Sequence, residues 1–213
     1  VNRPRLFLVT PSSFDPDKLA IDLASAFQGG DVASVLIYLP DAPAKDLQSA
    51  AEKLVPIIQQ NGAAAIIFGD TQVAGRTGAD GAHIETSLDD VKLAVESLQP
   101  EKIVGAGGTK LKHQDMEWAE TGIDYLFYGR LDLDEQDEPH PKTVSRAQWW
   151  AELFETPCVA LGGKTIASAE TAAETGADFV AMKDAVWHHS DGPASAVAAI
   201  NAILEGYPFE ESD

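Results

Sequence analysis

The chain has almost no cysteine, few cations and no long apolar run, and each shortage excludes a class of protein. Cys158 is the only cysteine among 213 residues, so no internal disulfide framework exists and a reducing cytoplasm suits the chain. No apolar run approaches the ~18 residues that span a bilayer. The opening VNRPRLFLVT sets Arg3 and Arg5 before a short apolar run. A signal peptide needs a longer run and a small-residue cleavage site, so LFLV reads as a first strand. Lys and Arg number 15 against 34 Asp and Glu, a net charge of −19. A field of that sign makes nucleic acid and anionic membrane poor partners. It also opposes a phosphorylated ligand unless local groups reverse the sign, and it serves solubility in any case.

What is present is an alternation. Eight apolar, β-rich runs occur: Leu6–Thr10, Val32–Leu39, Ala63–Phe68, Gly81–Ile84, Lys102–Gly105, Tyr125–Gly129, Cys158–Leu161 and Phe179–Met182. Most do not alternate polar with apolar, as strands buried on both faces should not. Helical spacing fills the gaps. One stripe is Leu19, Leu23, Ala26 and Phe27. Another runs from Leu47 to Ile58, with Pro56 expected to distort it. A third is Val91, Ala94, Val95 and Leu98, entered by Ser87 as N-cap. Trp149–Phe154, Ile166–Thr175 and Ala194–Leu204 fit later helices, and a very short one lies near Gln72–Thr77. Turns such as Thr77-Gly78-Ala79-Asp80, Thr121-Gly122-Ile123-Asp124 and Thr175-Gly176-Ala177-Asp178 place glycine where each helix should end.

Repeated βα units in one chain without a linker point to a single domain, 1–213, with the (β/α)8 TIM-barrel fold. A doubly wound open sheet is the alternative, but Thr10-Pro11-Ser12-Ser13 carries no Gly-rich fingerprint after the first strand. The acidic stretch Asp132–Pro141 follows the sixth strand, which in a barrel is the face that carries active sites. The tail Glu205–Asp213 is polar and expected to fray.

Candidate chemistry lies at the strand ends. Gly162-Gly163 after the seventh strand lets backbone N–H groups approach an anion, and Met182-Lys183 after the eighth would complete the cradle. A tight turn and a solvated lysine are the plain alternatives. Asp70 after the third strand is placed to hold Mg²⁺ or, equally, to cap the next helix. Gly107 and Gly108 after the fifth leave room for a ligand, or merely for an unusual backbone. His83 lies inside the fourth strand and reads first as a core residue; Glu85 shares its side of the strand. His188-His189 and His140 read as surface residues, and Cys158 as core.

The segments LFLVT, AAIIFGD, TGADGAHI, IVGAGG, TGIDYLFYGRL, PCVALGGKT and TGADFVAM occur in that order. Together they resemble the strand-end signatures of the thiamine-phosphate synthase/TenI family, usually "ylvTd", "liiND", "gAdGvHlg", "iGvS", "gaDYig.Gp", "pv.AiGGi" and "GadGvavvs". The resemblance implies a transferase of thiamine biosynthesis. It would join hydroxymethylpyrimidine diphosphate to thiazole phosphate, expel diphosphate and use Mg²⁺. By position it implies that Gly162, Gly163, Met182 and Lys183 cradle the thiazole phosphate, that Asp70 with Glu85 or Asp89 holds Mg²⁺, and that Lys142 contacts the diphosphate. Gly107, Gly108 and His83 would line the pocket. A phosphorylated small molecule is the implied partner, and a homodimer is compatible. The family's second strand ends in a "QLReK" motif that holds the pyrimidine diphosphate; here Val32–Asp41 contains no Gln, Arg or Lys. Gly69 stands for the family's Asn. Thr109-Lys110 follow the fifth strand where TenI-type tautomerases have His. A non-catalytic barrel that binds a phosphorylated molecule is therefore the alternative, and an enzyme using Asp70, His83 or Glu85 on another substrate is a third.

Overall fold

The computed structural model describes residues 2–133 and 136–209. Asp134 and Glu135 of the acidic stretch, and residues 210–213 of the polar tail, lie outside the described residues. Eight parallel strands pair in sequence order and close on themselves: β1 (Arg5–Val9), β2 (Ser34–Ile37), β3 (Ala64–Phe68), β4 (Gly81–Ile84), β5 (Ile103–Gly107), β6 (Tyr125–Tyr128), β7 (Cys158–Leu161) and β8 (Phe179–Met182). Pairing of Arg5 with Phe179 through Leu8 with Met182 seals the barrel. The helices are α1 (Pro16–Ala26), α2 (Ala44–Gln60), α3 (Thr71–Thr77), α4 (Leu88–Leu98), α5 (Lys112–Ala119), α6 (Pro141–Leu153), α7 (Ser168–Ala173), α8 (Asp184–Trp187) and α9 (Pro193–Leu204). Among the described residues no helix is long and apolar enough to cross a membrane.

The strands bury both faces, which is why they read as unbroken apolar runs. Phe7, Leu36, Ile66, Phe127, Val159 and Ala181 fill the interior, while their neighbours Leu6, Leu8, Val35, Ile67, Leu126 and Val180 meet the helices. A pleat sends successive side chains to opposite faces, so one short strand serves two cores.

The recurring Gly-x-Asp turns have a physical explanation. Gly78, Gly122 and Gly176 end their helices at φ of 69°, 91° and 76°, a region that favours glycine. The Asp that follows two residues later accepts the first free N–H of the preceding strand. Asp80 takes it from Ala65 (2.7 Å), Asp124 from Val104 (2.7 Å) and Asp178 from Cys158 (2.8 Å). In the earlier Gly29-Gly30-Asp31 turn, Asp31 instead makes a two-pronged pair with Arg5 at 2.6 and 2.8 Å.

Several boundaries differ from the sequence expectation. The helix α2 continues through Pro56 without a break. The missing N–H frees only the carbonyl of Glu52, and both Glu52 and Pro56 are exposed residues on the outer side of the helix. Helix α5 has no apolar stripe in the sequence because its buried face carries Asp115 beside Trp118. The β2 ladder is shorter than Val32–Leu39, and α7 is shorter than Ile166–Thr175. Ser87 caps α4 as expected, accepting from the Asp90 N–H at 3.1 Å.

Candidate functional site

The C-terminal strand ends open into a cavity of about 540 Å³ between β5, β6, β7 and the start of α6. Gly108, Lys142 and Gly162, all singled out from sequence, line it together with Thr109, Lys110, Tyr128, Arg130 and Arg146. Four of these side chains are cationic. Glu138 also lines the cavity, and Arg130 and Arg146 are each paired with a carboxylate, so the excess positive charge of the wall rests on Lys110 and Lys142. The ammonium groups of Lys110 and Lys142 make no hydrogen bond or ion pair with any described residue. Arg130 is paired in two-pronged fashion with Asp132 on the exposed rim, and that pair holds the Asp132 carboxyl below its ordinary range.

Arg146 is different in kind. Its guanidinium pairs with Asp115, which is fully buried, and donates to the Thr109 carbonyl (2.7 Å) and hydroxyl (2.9 Å). The Thr109 hydroxyl in turn donates to Asp115. Asp115 Oδ2, Arg146 Nε and the Tyr128 hydroxyl are buried without a hydrogen-bond partner among the described residues, and all three belong to this one corner. Burial, aided by Asp115, pushes the Tyr128 phenol far above its ordinary range, so it stays protonated.

Beside β5, the neighbouring strand β4 presents His83 and Glu85 on one face, as the strand period requires. His83 is fully buried. Its ring nitrogens lie 3.0 Å from the Tyr125 hydroxyl and 3.1 Å from Glu85 Oε1. Gly107 faces this pair: a Cβ there would stand 2.9 Å from Glu85 Oε1 and 3.1 Å from His83 Nε2, so a side chain at 107 would have to push the Glu85 carboxylate aside.

Asp70 caps α3, its Oδ1 accepting from the Val73 N–H at 2.8 Å, and is half-buried. The β3–β4 register pairs Phe68 with His83, so Asp70 and Glu85 both follow the C-terminal ends of these neighbouring strands. Asp89 is exposed in the first turn of α4. Among the described residues no three His, Cys, Asp or Glu side chains cluster as metal ligands.

The corner after β7 is closed. The Gly162 N–H donates to the Ala181 carbonyl, the Gly163 N–H to the Ser168 hydroxyl and the Lys164 N–H to the Gln136 carbonyl, each at 2.8 Å. The acidic stretch lies against it. The Asp137 carbonyl accepts from Thr165 Oγ1 (3.0 Å), and Glu138 Oε2 accepts from Thr171 Oγ1 (3.1 Å). Met182 and Lys183 are buried beside it. His140 caps α6 through its ring nitrogen, and His188 is exposed. Cys158 is buried, and burial pushes its thiol up to about 12. Sequence reasoning missed Lys110, Arg130, Arg146 and Asp115. Arg130 had a signal, standing two residues past the end of β6.

Comparison with known proteins gives the same picture across most of the chain. The family model described as thiamine monophosphate synthase (TMP-TENI) matches residues 6–186. A thiamine-phosphate synthase of Rhodospirillum centenum is 38% identical over 205 residues, covering 95% of this chain and 98% of that protein. One from Hyphomonas neptunium is 33% identical, covering 95% of each. Among solved structures, a thiamine phosphate pyrophosphorylase from Pyrococcus furiosus superposes with a TM-score of 0.79 over 97% of this chain and 98% of that one. At 21% identity that likeness speaks to the fold. On the family match and the two relatives, the chain belongs to the thiamine monophosphate synthase family.

Proposed function

We propose that the protein acts in the cytoplasm as a thiamine-phosphate synthase. The C–O bond between the pyrimidine methylene and diphosphate breaks, the thiazole nitrogen bonds to that methylene, and diphosphate leaves. The observation that supports this best is the cationic cavity at the β5–β7 mouth of a barrel matched to the family along residues 6–186. A departing diphosphate needs fixed positive charge, and Lys142 from the start of α6 is the cation assigned to it. Gly162, Gly163, Met182 and Lys183 are assigned to the thiazole phosphate, which there must compete with Ala181, Ser168 and Gln136 for the amides of Gly162, Gly163 and Lys164.

Magnesium fits on the chemistry of the donors. Asp70 uses one oxygen as a helix cap, and its other oxygen has no hydrogen bond among the described residues. Mg²⁺ at phosphate sites is commonly held by one or two carboxylates, substrate oxygens and water. It would supply charge neutralisation for the leaving diphosphate. Glu85 and Asp89 are the other carboxylates offered for that ion.

The test is incubation of the purified protein with both substrates and Mg²⁺, with thiamine phosphate as readout. Its formation supports the proposal, and its absence at high protein concentration rejects it. One observation favours a second reading, a barrel that binds a phosphorylated molecule without turnover: the end of β2 carries no cation. Calorimetry showing thiazole phosphate or thiamine phosphate bound without turnover would select it.

A further inference from the structure

The His83–Glu85 pair has a direction. The Tyr125 hydroxyl is buried and has no other hydrogen-bond partner among the described residues, so its proton goes to His83 Nδ1. Burial raises the Tyr125 phenol well above its ordinary range and keeps that proton in place. The ring proton of a neutral His83 is thereby confined to Nε2, which donates to Glu85 Oε1 at 3.1 Å. Glu85 Oε2 makes no hydrogen bond with a described residue, and the side chain keeps 19% of its exposure. A carboxylate is thus fixed at the mouth with one oxygen on the ring and one to spare.

Its neighbours are flat and apolar. Phe68, half-buried at the end of β3, stacks with the His83 ring at 5.9 Å and 27°. Tyr38 meets Phe68 edge-on, with centroids 4.7 Å apart. Of these rings only Phe68 keeps exposed surface, His83 and Tyr38 being buried behind it, and that one ring beside a fixed acceptor suits a planar heterocycle that carries an N–H donor.

We propose that Glu85 is the specificity-determining acceptor for the exocyclic amine of the aminopyrimidine, with His83 as its positioning residue. This rests on the synthase reading for the identity of the heterocycle. It takes Glu85 out of the carboxylates offered to the ion above and gives it to the base, which leaves Asp70 and Asp89 for the metal. The β2 strand itself, Ser34–Ile37, carries no carboxylate. A site built to accept from a ligand N–H rejects an analogue that lacks it, because the acceptor is then left unpaired.

The experiment is calorimetry with two probes: the amino-hydroxymethylpyrimidine without its diphosphate, and the analogue whose amine is replaced by a carbonyl oxygen. The wild-type protein is expected to prefer the amine by about tenfold or more, the range for a hydrogen bond to a charged group. Glu85→Gln should lose that preference. The His83 N–H retains the amide oxygen, so the new NH₂ faces the ligand amine. Tyr125→Phe, which frees the imidazole to change tautomer, should raise KM for the pyrimidine diphosphate while leaving kcat unchanged. Equal binding of both probes by the wild type, no binding of either, or an undiminished preference in Glu85→Gln overturns the inference. The synthase assay separates the two claims. An amine preference that depends on Glu85, without thiamine phosphate formation, removes the synthase reading alone. Turnover with the preference intact in Glu85→Gln removes this one alone.

Discussion

The carbonyl oxygen of Asp137 stands 2.3 Å from the point where a side chain at Gly163 would begin. The acidic stretch after β6 therefore rests on the turn after β7, and glycine is what lets it do so. A methyl group at 163 cannot fit without moving that backbone. Gly163→Ala should destabilise the protein by about 1–3 kcal/mol, the usual cost of overpacking. Urea denaturation checks it, and an unchanged midpoint would show that the contact is loose.

The Arg146–Asp115 pair should be the most sensitive polar contact at the mouth. Removing one partner leaves a buried charge unpaired. Asp115→Ala or Arg146→Ala is therefore expected to cost about 3–5 kcal/mol. Replacing both with apolar residues of similar size should recover most of the loss, because neither charge is then stranded. A double-mutant cycle in chemical denaturation measures this.

Charge on the cavity wall should matter for the diphosphate substrate. Lys142→Ala and Arg130→Ala are each expected to raise its KM about tenfold or more, the range for hydrogen bonds to charged groups. Added salt should narrow the gap between wild type and variants, since both residues are exposed. Steady-state kinetics at two ionic strengths provides the check.

Arg5 holds the Asp31 carboxyl below its ordinary value near 3.8, chiefly through their hydrogen bonds. A carboxyl depressed in the folded state stabilises above its unfolded pKa, and that contribution is lost as pH falls through the folded value. The pair is about one-third exposed, so the effect is small, about 1 kcal/mol or less. Asp31→Asn should flatten the acid limb of the stability curve below about pH 4, with little change in its slope near neutrality. Denaturant titrations at several pH values read it directly.

The barrel was legible because its strands are buried on both faces and its helix ends repeat glycine and aspartate. Each feature follows from local chemistry that a single sequence displays. Of the candidate site, the sequence shows only residues that stand at strand ends, at a helix start or on one strand face. Gly108, Lys142 and Gly162 line the cavity, and His83 and Glu85 share one face of β4. Side chains brought together by tertiary packing were not visible. Asp115 and Arg146 come from helices separated by β6, and nothing in either segment names the other as its partner. The closure of the Gly162–Gly163 corner was hidden for the same reason, since it depends on where residues 136–138 come to rest.

The most direct test of the whole account is release of diphosphate from the pyrimidine substrate, followed alongside thiamine phosphate in one reaction with Mg²⁺ present. One diphosphate should appear for each thiamine phosphate, with the rate collapsing when thiazole phosphate is withheld. Diphosphate release without thiamine phosphate, or neither product over many hours, would contradict it.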